Sequence, residues 1–110
     1  MKETHEYLVA MTTLATEEQA VSLARSALER RLVACANVLP AVRSLYRWHG
    51  EIQDDREHLV LLKTRADRFD DLAKAFAELH PYEVPELVAL PVARGATAYL
   101  GWLDDCLGEE

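Results

Sequence analysis

The chain has 110 residues, of which 50% are apolar and 28% are charged, and its formal net charge is −7. This length and composition predict one folded domain, spanning residues 1–110, with a single hydrophobic core. A surface this acidic lacks the basic stripe that binds nucleic acids and would be repelled by anionic lipids. We therefore expect neither a nucleic-acid partner nor a membrane partner.

The two cysteines, Cys35 and Cys106, are too few and too far apart in the sequence to predict a disulfide framework. Residues 1–6 lack the apolar core of a signal peptide, and no apolar run approaches the roughly 18 residues of a membrane span. From these features we expect a cytoplasmic protein with free thiols.

The first third of the chain predicts a strand followed by a helix. Residues 7–13 are apolar enough for a short strand. Thr16 and Gln19 then have the spacing of a capping box, in which each side chain serves an unpaired backbone N–H group. Apolar residues recur at helical spacing from Ala20 to Leu28, so this segment is expected to pack on a sheet as a helix.

The middle of the chain predicts a long hairpin. Residues 34–39 predict a strand that bends at Pro40 and continues in alternation to Trp48. Residues 50–57 are polar and acidic, which indicates the end of the hairpin. Residues 58–64 contain a run of four apolar side chains, which is typical of a central strand covered on both faces.

The last third of the chain predicts a helix, a strand and a short closing helix. Residues 69–79 have helical periodicity, and Pro81 cannot continue that helix. Residues 87–92 predict a fourth strand, interrupted by Pro91. Thr97 can then cap the closing helix.

Strands and helices in the order β-α-β-β-α-β, followed by a short helix, predict an α+β fold of the ferredoxin-like type. Right-handed crossovers place both long helices on one face of an antiparallel four-stranded sheet. The other face of the sheet, and the edges of the long hairpin between Pro40 and Thr64, would remain uncovered. We therefore expect the chain to associate with itself.

Two stretches of the sequence form distinctive motifs. The first reads ACANVLPAVRSLYRWHG at residues 34–50, and the second reads LHPYEVPELVALPV at residues 79–92. Shorter motifs lie between and after them: Lys63-Thr64, Tyr99-Leu100 and Trp102-Leu103. Taken in this order, the motifs resemble the signatures of a known family, the CutA-like divalent-cation tolerance proteins.

The resemblance implies a ferredoxin-like homotrimer, in which the long hairpin of each subunit pairs with a neighbouring sheet, and a role linked to copper and other divalent metal ions. Some members of the family bind copper through a cysteine at the end of the first strand and two histidines before a Pro-Tyr pair. This chain has Met11 or its neighbour at the first position and Leu79 at the second, and it retains only His80. It also has Ala41 where the family usually has glycine.

Cys35 and His80 are the candidate metal ligands, because transition metals prefer thiolate and imidazole side chains. We expect the two to meet in a cleft, either within one chain or across a subunit contact. Ordinary alternatives remain open, with Cys35 as a small core residue and His80 as a group that bonds the last carbonyls of its helix. Four further residues would line the cleft: Trp48, Lys63, Tyr82 and Glu86.

Two other groups near the hairpin end have a weaker claim to bind metal. His49 and His58 would face each other across the ladder if the turn centred on residues 53–54, but not if it centred on residues 50–51. The acidic side chains of this segment lack the spacing of a calcium loop and are predicted to be solvated. These acidic residues are Glu51, Asp54, Asp55 and Glu57.

No catalytic motif occurs in the sequence, so we do not expect an enzyme. The favoured hypothesis is a trimeric metal-binding or metal-tolerance protein. One alternative is a small-ligand sensor similar to the trimeric nitrogen-regulatory signal proteins, in which Lys63, Arg43 and Arg47 hold an anion between subunits. Another alternative is a structural trimer without a specific ligand.

Overall fold

The computed structural model describes residues 2–3, as backbone, and residues 6–108. The strands are β1 (Lys2–Glu3), β2 (Tyr7–Leu14), β3 (Cys35–Trp48), β4 (Glu51–Arg65), β5 (Val88–Pro91) and β6 (Arg94–Gly95). The helices are α1 (Glu17–Glu29), α2 (Ala66–Leu79) and α3 (Thr97–Leu107).

Four of the strands form one antiparallel sheet in the order β3-β4-β2-β5. With α1 between β2 and β3, and α2 between β4 and β5, this order is the βαββαβ arrangement of ferredoxin-like folds. The predicted fold class is therefore confirmed. The short strands β1 and β6 pair with each other in a separate two-stranded ladder.

The main core lies between the sheet and the two long helices. In β2, Ala10 and Leu14 face the helices, as do Val60 and Leu62 in β4, and all four are fully buried. The helices contribute mostly small and branched side chains to this layer, which lets them approach the sheet closely: Ala20, Leu23, Ala27, Leu72, Ala75 and Phe76.

The opposite face of the sheet is covered mainly at one end. There Tyr7 packs with Leu100, Leu103 and Leu107 of α3 in a second, smaller cluster. Further along, the residues of β2 and β4 that alternate with the core positions are only half-buried, and Leu90 of β5 is 55% exposed. We call this surface, which includes Val9, Met11, Leu61, Val88 and Leu90, the open face.

The helix ends follow the sequence prediction in part. The Thr16 hydroxyl accepts a hydrogen bond from the backbone N–H of Gln19 at 3.1 Å, as in a capping box. The reciprocal half is missing, because Gln19 Oε1 has no partner among the described residues. Thr97 does not cap α3 as predicted: it is the first residue of that helix, and Ala96 precedes it without a side-chain cap.

The prediction that residues 50–57 form the hairpin end is wrong, because β4 begins at Glu51. His49 and Gly50 both have positive φ, 51° and 79°, and form a two-residue turn of the type that matches strand twist. Trp48 therefore pairs with Glu51 at the tip. His58 lies in the sheet opposite Leu14, so His49 and His58 do not form a shared metal site.

A β-bulge bends the hairpin at the predicted proline. Leu39 pairs with Leu59 and Val42 pairs with Glu57, so two residues of β3, Pro40 and Ala41, stand opposite one residue of β4. Ala41 takes a left-handed conformation with φ 60°, which is unfavourable for any residue with a Cβ atom. No helix in the described part of the chain is long and apolar enough to cross a membrane.

Because Ala41 is left-handed, we expect Ala41→Gly to raise the free energy of unfolding by about 0.5–1 kcal/mol, since glycine removes the Cβ strain but adds chain entropy to the unfolded state. Urea denaturation measures the change. Ala36→Gly is the control, because Ala36 lies in regular strand and should instead lose stability. Equal signs for the two variants would contradict the bulge geometry.

Candidate functional site

A cavity of about 660 Å³ opens between the outer half of the hairpin and the segment 82–86. Its walls combine aromatic rings with carboxylates, together with smaller residues such as Leu45 and Pro85. The aromatic residues are Tyr46, Trp48 and Tyr82, and the acidic residues are Glu57, Glu83 and Glu86. No lysine, arginine or histidine lines the cavity in the described part of the chain.

Glu57 is the central charged group of this cavity. The bulge places it opposite Val42, and it is only 6% exposed. The Tyr82 hydroxyl donates a hydrogen bond of 2.6 Å to Glu57 Oε2. The prediction that Glu57 belongs to a solvated acidic loop is wrong, because the residue lies inside a strand and is buried.

His80 supports the cavity from behind. It ends α2 in an extended conformation, is 6% exposed, and packs its ring 4.7 Å from the ring of Tyr82. Nε2 lies 3.0 Å from both the Thr13 carbonyl oxygen and the Thr12 hydroxyl, while Nδ1 accepts the backbone N–H of Tyr82 at 3.2 Å. Since a carbonyl oxygen can only accept, the proton of the neutral ring sits on Nε2.

The ionisation of the groups around the cavity reflects burial and the charge of Glu57. Burial, and then the Glu57 carboxylate, raise the pKa of Glu86 and of the Tyr82 hydroxyl above their ordinary values. Burial lowers the pKa of His80 below 6.5, although the Thr13 carbonyl and Glu57 act in the opposite direction. The neutral imidazole is thus the form that the site holds at neutral pH.

The structure brings together only part of the predicted cleft. Trp48, Tyr82 and Glu86 line the cavity, and His80 contacts Tyr82 behind it. Lys63 lies six residues from Glu57 along β4, which is about 20 Å at the rise of an extended strand.

Cys35 pairs with Lys63 in the ladder and so lies at the same distant end of the sheet. The predicted pair of metal ligands is therefore not formed within one chain, because Cys35 and His80 lie on opposite faces of the sheet. Cys35 pairs through Lys63 with Val9, which points to the open face. The His80 ring bonds to Thr12, which points to the helices and is fully buried. Side chains three positions apart on a strand point to opposite faces.

Residues 6–108 of one chain contain no group of three histidine, cysteine or carboxylate side chains that could hold a metal ion.

The open face does carry two sulfur donors. Met11 pairs with Leu61, and Asn37 pairs with Leu61 from the other side. Cys35 is two residues before Asn37 and therefore shares its face. The Cys35 thiol is half-buried, free of any disulfide, and 3.8 Å from Asn37 Oδ1.

Comparison with known proteins places the chain among relatives of one kind. The family model described as CutA1 divalent ion tolerance protein matches residues 8–106. The Divalent-cation tolerance protein CutA of Thermus thermophilus is 45% identical over 100 residues, which is 91% of this chain and 97% of that protein. Protein CutA, chloroplastic, of Arabidopsis thaliana is 38% identical over 96 residues, covering 87% of this chain but only 53% of that protein.

Solved structures agree with the sequence matches. The divalent cation tolerance protein (Cut A1) from Thermus thermophilus superposes with a TM-score of 0.89 at 44% identity, covering 93% of this chain and 99% of that one. CutA from Synechococcus elongatus superposes with a TM-score of 0.92 at 34% identity, covering 97% of this chain and 95% of that one. Identity at these levels shows a shared family as well as a shared fold.

The residue that sequence reasoning missed is Glu57. Its polar neighbours indicated a loop, but a different signal was available in the His49-Gly50 pair. A residue with glycine after it, between two long alternating runs, is a pattern of two-residue hairpins. Placing the turn there puts Glu57 within the ladder, opposite β3, where half of the side chains are covered.

The Tyr82 hydroxyl is the only hydrogen-bond donor to the Glu57 carboxylate among the described side chains. We therefore expect Tyr82→Phe to lower the free energy of unfolding by about 1–3 kcal/mol, the cost of leaving a buried acceptor unsatisfied. Tyr46→Phe is the matched control, because Tyr46 donates to the exposed Asp55 at 2.6 Å and should cost well under that amount. Equal losses in urea denaturation would contradict the structure.

The buried neutral His80 makes stability depend on pH in a defined window. Above pH 6.5 the ring is neutral in both states; below it the unfolded chain takes up the proton first, so stability falls as pH falls toward the lowered folded pKa. We expect His80→Gln to remove this contribution to the change of unfolding free energy with pH, measured between about pH 5 and pH 7. His49→Gln, a change at the exposed hairpin tip, is the matched control, and an equal effect of the two variants on the slope would refute the assignment.

Proposed function

The chain belongs to the family of CutA1 divalent ion tolerance proteins, and we propose that it acts as a non-enzymatic homotrimer that binds copper or other divalent metal ions in the cytoplasm. Family membership supports the link to divalent cations. The two free cysteines support a reducing, cytoplasmic setting.

The observation that carries the proposal is the open face of the sheet. Its apolar side chains are only partly covered by the described residues of the chain, and Leu90 is 55% exposed. Burying this face against copies of itself would remove apolar area from water and would bring the Cys35 thiols of several subunits near one another. A metal site made of donors from more than one subunit is consistent with the lack of a three-ligand cluster within residues 6–108.

Cys35 is the stronger of the two candidate ligands. Its thiol is accessible on the open face. A thiolate is a soft donor, and soft donors favour copper. His80 remains a candidate only if it gives up a hydrogen bond, because Nδ1 already accepts from Tyr82 and Nε2 carries the proton. We infer that His80 contributes to metal binding less directly than Cys35 does.

An anion-sensing role is less well supported. Arg43 is engaged with Asp54 through two hydrogen bonds of 2.8 and 2.7 Å, and neither Lys63 nor Arg47 lines the cavity. The cavity itself is acidic and would repel an anion.

The proposal predicts that assembly and copper binding fail together. Leu90→Glu would place a charge inside the buried interface. The molecular mass measured by light scattering should therefore fall from three times that of the 12.4 kDa chain to that of a single chain. Val21→Glu is the control, because Val21 is an exposed apolar residue on α1, away from the open face.

Calorimetric titration of Cu(I), kept reduced, should give at least about tenfold weaker binding for Cys35→Ser, since one of few ligands is lost.

Cys106→Ser is the matched control for the titration, because Cys106 lies on α3 beside the smaller cluster. A monomeric wild-type protein would overturn the trimer. Equal isotherms for the wild type and Cys35→Ser would remove Cys35 from the metal site, and a loss confined to His80→Ala would reverse the ranking of the two ligands.

A further inference from the structure

The outer half of the hairpin projects beyond the rest of the sheet as a two-stranded ribbon. The last pair between β2 and β4 joins Leu14 to His58, so toward the tip β4 pairs only with β3. We call this ribbon, residues 42–57, the arm. A ribbon of two strands is marginally stable and strongly twisted when nothing supports it. The orientation of the arm therefore depends on the contacts at its base.

The arm is braced internally by contacts between its two strands. Arg43 donates two hydrogen bonds, of 2.8 and 2.7 Å, to the Asp54 carboxylate, and the Tyr46 hydroxyl donates to Asp55 at 2.6 Å. The bulge at residues 40–41 lies where the arm leaves the sheet, and a bulge bends its strand locally. Motion of the braced arm would thus be concentrated at its base, as at a hinge.

Residues 80–86, which we call the strap, reach the arm at this base. The Tyr82 hydroxyl donates to Glu57 Oε2 at 2.6 Å, and Glu57 forms the first pair of the arm with Val42. In the part of the chain that the structure describes, this is the one side-chain hydrogen bond between the strap and the arm. Tyr82 is therefore the residue through which the strap can hold the arm.

The strap is in turn anchored to the body of the molecule. His80 is 6% exposed, and its Nε2–H donates to the Thr13 carbonyl of β2 at 3.0 Å. Its Nδ1 accepts the backbone N–H of Tyr82 at 3.2 Å, and the two rings lie 4.7 Å apart, edge to face. Pro81, between them, has a fixed φ. These contacts all lie within one chain and do not depend on what covers the open face.

We propose that the strap fixes the angle of the arm, with Tyr82 as the positioning residue, so that the arm meets a neighbouring copy of the chain already oriented. The inference rests on the proposed homotrimer. A segment that is preorganised in its bound conformation loses less conformational entropy on association. The hydrogen bond from Tyr82 to Glu57 in this way stabilises the assembly without itself joining two copies.

Subunit exchange tests the strap in the full chain. Trimers made of isotope-labelled chains are mixed with unlabelled trimers, and native mass spectrometry follows the appearance of mixed trimers. We expect Tyr82→Phe to exchange at least about fivefold faster than the wild type, because the arm is no longer held in its docked orientation.

Val33→Ala is the control for a general loss of stability. Val33 is 1% exposed in the main core, and the next residue, Ala34, bonds to Lys63 at the end of the sheet opposite the arm. The substitution therefore weakens the fold and leaves the strap intact. Urea denaturation measures the loss of stability in both variants, and Val33→Ala should exchange at the wild-type rate.

The fluorescence anisotropy of Trp48, at the tip of the arm, measures the arm directly. Trp102→Phe leaves Trp48 as the only indole, and Leu90→Glu provides a single chain in which no neighbour holds the arm. In this background Glu57→Ala should add a fast nanosecond component to the anisotropy decay. Glu57→Gln keeps an acceptor for the Tyr82 hydroxyl and should not add it.

Two results would overturn the strap. One is equal acceleration of exchange by Tyr82→Phe and Val33→Ala, or none by either, since Tyr82 would then act only through general stability. The other is an anisotropy decay of Trp48 that is the same for Glu57→Ala and Glu57→Gln. Either result, obtained with trimers of normal mass, leaves the proposed trimer intact. A wild-type protein with the mass of a single chain would instead refute the trimer on which the inference rests.

Discussion

The bulge at Pro40 and Ala41 is the constraint on which the outer half of the molecule depends. Because side chains alternate along a strand, one extra residue in β3 reverses which of its side chains share a face with those of β4. Tyr46 and Trp48 line the cavity together with Glu57 in the register that follows the bulge. A hairpin paired without the extra residue would turn the aromatic rings away from the carboxylate. The left-handed backbone of Ala41 is the local cost of this arrangement.

A line of directed hydrogen bonds joins the end of α2 to the hairpin. His80 Nε2–H donates to the Thr13 carbonyl, the Tyr82 backbone N–H donates to His80 Nδ1, and the Tyr82 hydroxyl donates to Glu57. Pro81 favours this course, because it ends the helix and holds His80 extended. Every donor in the line is neutral, and within residues 6–108 no basic side chain forms an ion pair with Glu57.

Much of the fold could be predicted from periodicity, because the core positions of β2 and β4 and of both long helices repeat at two and 3.6 residues. The hairpin end could not be predicted from composition, since polar side chains are equally suited to a loop and to the solvated outer part of a hairpin. Trp48, Tyr82 and Glu86 line one cavity because the topology brings their segments together. The order of the strands and helices in the sequence was enough to predict that topology. The expected contact between Cys35 and His80 does not form within one chain. Predicting this required the register of β3 as well as the identity of the strands beside it.

Glu57 and the sulfur donors lie on the same side of the sheet, toward opposite ends of it. The open face offers the sulfur atoms of Cys35 and Met11 among apolar side chains, which suits a soft metal ion held between subunits. The cavity presents oxygen atoms and aromatic rings around Glu57. Because Glu57 shares a face of the sheet with Leu61 and Cys35, burial of that face between copies of the chain would change the surroundings of the carboxylate as well as those of the thiol.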